Sequence, residues 1–167
     1  HVKQGSSRKM LISGSPRRVW DHCGEYEALV RSHTALDIYG LHGQVPETIM
    51  KGQTVDISFL AEFEWFQWLM FYEPVATYPD GHPTIGRYLG PATDVGGAMT
   101  HKILKENGET VFRQTVRAWT QEEEANPALI QKRKEFMEQI HDRCGPAATV
   151  ADFPPEALTP EYEYYAD

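Results

Sequence analysis

Cysteine is almost missing from this chain: Cys23 and Cys144 are the two in 167 residues. That is too few for a disulfide framework, and neither sits in a CxxC pair suited to zinc, so two reduced thiols without redox or metal roles are expected. Long apolar runs are missing too. No stretch approaches the roughly 18 residues of a membrane span, and no apolar signal segment opens the chain. An intracellular protein, cytoplasmic or nuclear, with no membrane partner is the expectation. Also absent are GxSxG, HExxH and a phosphate-binding glycine loop, which removes the common hydrolase and nucleotide signatures. No cofactor is expected.

Basic residues are in deficit as well, 16 against 24 acids for a formal net charge of -8. A general nucleic-acid binder would carry the opposite sign, so any polyanion contact has to be local. The distribution permits that. Lys3, Arg8, Lys9, Arg17 and Arg18 fall in the first twenty residues with no acid, whereas residues 146–167 hold five acids and no base. With 41% hydrophobic and 11% aromatic residues the chain can build a core.

What is present is best read from Asn107-Gly108, which lies between two segments rich in strand formers and signals a hairpin. A two-residue turn there sets Lys105 opposite Thr110, Leu104 opposite Val111, Ile103 opposite Phe112 and Lys102 opposite Arg113. One face then carries Met99, Ile103, Phe112 and Val116, and the other carries Lys102, Arg113 and Arg117. Opposed like charges cost roughly 0.2–1 kcal/mol, so an anion or an acidic side chain should lie over them. Two readings stay open: a phosphate or nucleic-acid contact, or pairing with acids of the chain itself.

Along the chain, residues 6–13 read as the end of a helix stopped by Gly14. Ser15-Pro16 restarts a helix to about His33 with Ser15 as N-cap, and Gly24 inside it points to close packing. His22 and His33 read as surface or packing residues. Asp37 to Val45 is turn-rich, Pro46 to Lys51 is a short helical turn ended by Gly52, and Asp56-Ile57-Ser58 is a further turn. Phe63 to Tyr72 is aromatic on both faces and is read as a doubly buried strand, although periodicity alone leaves a helix open. Pro79-Asp80-Gly81 is a turn leading into a strand from Ile85 to Leu89. Thr120 and Glu123 form a capping box, and Leu129, Arg133, Phe136, Ile140 and Cys144 give an amphipathic helix ending at Gly145-Pro146. The acidic remainder lacks an apolar period and reads as a flexible linker.

Several of these signposts occur in an order that resembles the region after the catalytic core in integrases of copia-type LTR retrotransposons. They are Arg8-Lys9-Met10-Leu11, Gly14 to Trp20, Thr34-Ala35-Leu36, Gly43 with Pro46-Glu47-Thr48 and Gly52, Asp56-Ile57-Ser58, Trp65, and Gly86 to Gly90 through Asn107-Gly108 to Arg117. The similarity covers residues 6–120. It implies an α+β chain: a helical segment over 1–60 resembling the end of an integrase core, a small SH3-like antiparallel β-barrel over 61–119, an amphipathic helix over 120–145 and a disordered acidic linker over 146–167. His1 to Gln4 resembles the strand that precedes the helix bearing the family's last catalytic acid. That helix looks deleted, since no acid precedes Asp21. The family's strand transfer needs three acids holding divalent metal, and none is assignable here; Asp37, Asp56 and Asp94 sit in turns.

The leading expectation is therefore a non-catalytic piece of a retrotransposon polyprotein, contacting nucleic acid through Arg87, Lys102, Arg113 and Arg117 together with Arg8, Lys9, Arg17 and Arg18. Expected partners are DNA or RNA, neighbouring polyprotein domains and a second copy of the chain. The alternative is a protein-interaction module without nucleic-acid binding. An independent hydrolase, the third class, lacks any supporting motif.

Overall fold

The computed structural model describes residues 2–34, 42–54, 56–73, 82–95 and 99–158. The expected turns at Asp37 and Pro79-Asp80-Gly81, the matched pair Ala35-Leu36 and the last nine residues of the expected linker lie outside the described residues.

Helix α1 (Val2–Ser13) stops where expected, with Gly14 at φ +68° donating to the Met10 carbonyl (3.1 Å). It starts earlier than expected, so residues 2–4 form its first turn and not a strand. Ser15 is not a side-chain cap. The restart is held by tertiary contacts instead: Ala148 donates to the Ser15 carbonyl (3.0 Å) and Pro16 bridges to Ala147, followed by a 3-10 turn at Arg17–Val19 and α2 (Trp20–His33). Gly24 is not closely packed either, since no heavy atom beyond its chain neighbours and its own helix backbone lies within 4 Å of where its Cβ would be. Helices α3 (Pro46–Lys51) and α4 (Ser58–Ala61) follow, the latter opened by Asp56 Oδ1, which accepts from the Ser58 amide (2.9 Å).

Five strands, β1 (Trp68–Phe71), β2 (Thr84–Pro91), β3 (His101–Leu104), β4 (Thr110–Arg113) and β5 (Val116–Ala118), form one antiparallel sheet in the order β4-β3-β2-β1-β5. The aromatic block is strand only over its second half. Phe63, Trp65 and Phe66 are nonetheless buried in the loop that leads into β1, with Phe66 at φ +61°. Paired residues share a face. Thus Leu69, Phe71, Gly86, Tyr88, Ile103 and Val111 lie on one side, and Trp68, Met70, Ile85, Arg87, Leu104 and Lys102 on the other.

After the capping box at Thr120 and Glu123, α5 (Gln121–Ala125) and α6 (Pro127–Cys144) follow as the sequence indicates, and α6 buries Phe136 and Ile140. Residues 146–158 depart from the linker expectation: two 3-10 turns at Val150–Asp152 and Pro155–Ala157 pack back, burying Ala148 and Ala157. One hydrophobic cluster joins Met10, Val19, Cys23 and Tyr26 to Trp65, Leu69, Leu89 and Leu104 and to Phe136 and Ile140. Burial pushes the Cys23 thiol up to about 12, which keeps it protonated and unreactive at neutral pH.

Candidate functional site

The β3–β4 hairpin forms around Asn107-Gly108, but its loop has three residues, not two. Gly108 donates to the Lys105 carbonyl (3.0 Å), Lys105 donates to the Glu109 carbonyl (2.9 Å), and Gly108 takes φ +81°. This is a turn closed by a left-handed glycine bulge. Asn107 holds it, its Oδ1 accepting from the Glu109 amide (3.0 Å) and its Nδ2 donating to Glu109 Oε2 (2.7 Å). The pairing shifts by one residue on β4: Lys102 faces Phe112, His101 faces Arg113 and Ile103 faces Val111. A one-residue slip exchanges faces. Phe112 now shares the face of Lys102 and Leu104 and is 44% exposed; Met99, outside the paired residues, is 48% exposed, and Ile103 and Leu104 are both buried.

The expected basic face is accordingly not formed. Lys102 is buried and paired with Glu25 of α2. Arg113, on the opposite side of the sheet, shares Glu73 with Lys105 at 2.7 and 2.9 Å. Hydrogen bonds from these two cations hold the Glu73 carboxyl below its ordinary range. Arg117 makes a two-pronged contact with Glu123 (2.6 and 2.7 Å). That contact raises the guanidinium and, with the Thr120 amide, lowers Glu123 to about 2. Of the two readings left open by the sequence, pairing with acids of the chain is the one the geometry shows for these three cations.

Arg87 is placed differently again. Its guanidinium lies 3.6 Å from the Trp68 ring centre and 4.5 Å from Phe66, donating to the Phe66 carbonyl (2.6 Å) and to Met137 Sδ (3.4 Å). Burial, and secondarily Arg133, depresses it to about 9. Stacking on two aromatic rings compensates part of that desolvation. The acids that claim the hairpin's cations were not singled out as partners by sequence reasoning. The available signal was the excess of acids over residues 21–81, which gives a sign but no pairing.

The N-terminal cations divide into two sets. Lys9 bonds the buried Glu27 (2.8 Å), and Arg8 also has a contact within the chain. Arg17 and Arg18 face outward; Arg17 lies 3.7 Å from Asp152 with a side chain 65% exposed, and Arg18 donates to the Arg143 carbonyl (3.1 Å). Arg143 in turn donates to the Asn107 carbonyl (3.4 Å), so its guanidinium reaches to the hairpin loop, whereas that of Arg18 lies at the end of α6. Among the described residues no three His, Cys, Asp or Glu side chains converge as metal ligands, and no helix is long and apolar enough to cross a membrane.

His101 is a buried titratable group of the sheet. Its ring lies between Phe63 and Tyr88 at 5.3 and 5.8 Å, its Nε2 is 3.7 Å from Glu62, and its Nδ1 has no hydrogen-bond partner. Burial lowers its pKa, with Glu62 opposing weakly. A depressed folded-state value favours the neutral ring. Its contribution to stability is present above the unfolded value of about 6.5 and lost as pH falls through the folded one. Urea titrations from neutral pH down to the onset of carboxylate protonation should show wild-type stability declining more steeply than that of His101→Gln; parallel curves would contradict this assignment. No family model, curated protein or solved structure matches the chain.

Proposed function

We propose that this chain is a non-catalytic segment of a copia-type retrotransposon polyprotein, from the region after the integrase core, and that it acts by protein contacts in assembly. The ordered match over residues 6–120 supports the family. The strand order supports an SH3-like barrel: edge strands β4 and β5 are joined by residues 114 and 115 alone, which brings the two edges of the sheet within about 11 Å of each other there. The observation that carries the assembly role is the neutralisation of Lys102, Arg113 and Arg117 by Glu25, Glu73 and Glu123. A cation already engaged by a carboxylate has to give up that partner before it contacts a phosphate.

A second reading, positioning of nucleic acid, is favoured by the exposed Arg17 and Arg18, held by one 3.7 Å ion pair and one backbone carbonyl, with Arg143 on a second carbonyl. Duplex-DNA titrations at low salt separate the two. Under the assembly reading the full chain shows no salt-dependent binding, and replacing Lys102, Arg113 and Arg117 together by Ala changes nothing in that assay. Salt-dependent binding lost in Arg17→Ala/Arg18→Ala/Arg143→Ala would establish the second reading. Binding lost in the hairpin variant, with circular dichroism unchanged, would overturn both and restore the sheet as the contact surface.

A further inference from the structure

A cleft of about 320 Å³ opens between α1, the first turns of α2 and the two C-terminal 3-10 turns. Ligand-holding clefts run from about 300 to 1,000 Å³, so this one is at the small end and suits a side chain or two of a partner. Val2 and Met10 of α1, Trp20 of α2 and Phe153 make its walls largely apolar. Met10 is fully buried whereas Trp20 is 63% exposed, so the cleft grades from a dry wall to an uncovered indole. A tryptophan beside a hydrophobic recess is the composition of an interface hot spot. Gly24 keeps the recess open. It lines the cleft, and nothing beyond its chain neighbours and its own helix backbone lies within 4 Å of where its Cβ would be.

The charged residues lining the cleft are Lys3, Arg17 and Asp152. The Lys3 ammonium has no acidic partner among the described residues. Asp152 spends Oδ2 on the Thr149 amide and hydroxyl (2.7 and 3.0 Å) and meets Arg17 only through Oδ1, at 3.7 Å. The Arg17 side chain is 65% exposed, and an ion pair so long and so wet contributes little. Apolar walls thus lie under a rim of net positive charge. The complement is an acidic segment that carries an aromatic side chain.

We propose that this cleft is the docking site for an acidic segment of a partner protein, which buries an aromatic side chain against Trp20 and Met10 and sets carboxylates against Lys3 and Arg17. Such docking gives the assembly contacts a surface and rests on that reading of the chain. Titrating the full chain with the end-blocked peptide Glu-Phe-Glu-Glu-Phe-Glu tests it through Trp20, because Trp65 and Trp119 are buried and Trp68 lies under Arg87. Tryptophan emission should move to the blue, less so as salt is raised, and should stay put with serine in place of phenylalanine or lysine in place of glutamate. Trp20→Phe should remove the shift. Gly24→Leu fills the recess at a helical position where glycine is the poorer residue, so it should keep its circular dichroism and lose binding. Lys3→Glu/Arg17→Glu should weaken binding about tenfold. No shift with the acidic peptide, equal shifts with all three peptides, or a shift retained in Gly24→Leu would overturn the proposal. A blue shift on raising the protein concentration without peptide would overturn it too, by assigning the cleft to a second copy. Absent peptide binding together with absent duplex-DNA binding removes the docking site and leaves assembly to another surface, whereas salt-dependent duplex binding removes the assembly reading itself.

Discussion

Replacing Gly86 by Val is expected to destabilise the fold by about 1–3 kcal/mol, with a larger loss where the strands are forced apart. The site is closed on three sides. A Cβ added there would stand 2.3 Å from Ile103 Cγ2, 3.0 Å from Phe71 Cε1 and 3.3 Å from the Leu104 carbonyl oxygen. Ile103 and Phe71 are both fully buried, so neither has open space to retreat into, and the carbonyl belongs to the backbone of β3. Propensity argues the other way, because a β-branched residue in a strand interior usually gains over glycine. Packing should win, since the nearest approach is far inside van der Waals contact. Urea denaturation decides it: a lowered midpoint with an unchanged slope reports lost stability, whereas an unchanged or raised midpoint would show that the sheet has room at this point.

Gly86 also shows where the sequence was legible and where it was not. Local chemistry marked the helix ends at Gly14 and Gly145, the capping box at Thr120 and Glu123, and the position of the hairpin, because each rests on residues a few places apart. Register was not legible. Asn-Gly satisfies both a two-residue turn and a longer loop closed by a glycine bulge, and one residue of slip moves Phe112 and Arg113 each to the other face. The cation partners were illegible for another reason: Glu25 is 77 positions from Lys102 and Glu73 is 40 from Arg113, separations over which no local pattern operates. Arg117 and Glu123, six apart, come together only because the chain turns at Thr120. The packing of residues 146–158 went unread because its apolar residues do not recur: Ala148 and Phe153 are five apart, a step of neither the helix nor the strand period, and Ala157 alone follows at four. Gly24 misled for a related reason: a helical glycine can mark close approach or an open groove, and composition does not distinguish the two.

The contact between α1 and α2 should give a reversal of sign. Glu27 is 4% exposed and held by Lys9 (2.8 Å) and Arg31 (2.9 Å). Glu27→Ala removes the shared anion and should cost about 3 kcal/mol, the lower end for breaking a buried pair, because the Lys9 side chain is 35% exposed and can turn to water. Gly5 is what admits that carboxylate: a Cβ on Gly5 would fall 2.1 Å from Glu27 Oε1 and 2.4 Å from its Cδ. Gly5→Ala alone should therefore destabilise, by about 1–3 kcal/mol of overpacking, despite alanine's better helix propensity. In the Glu27→Ala background the carboxylate is gone, the methyl meets vacated space, and the same substitution should stabilise by up to about 1 kcal/mol, the propensity difference. Urea denaturation of the wild type, both single variants and the double variant closes the cycle. Additive effects would mean that Gly5 and Glu27 do not share the contact on which the packing of α1 against α2 is built.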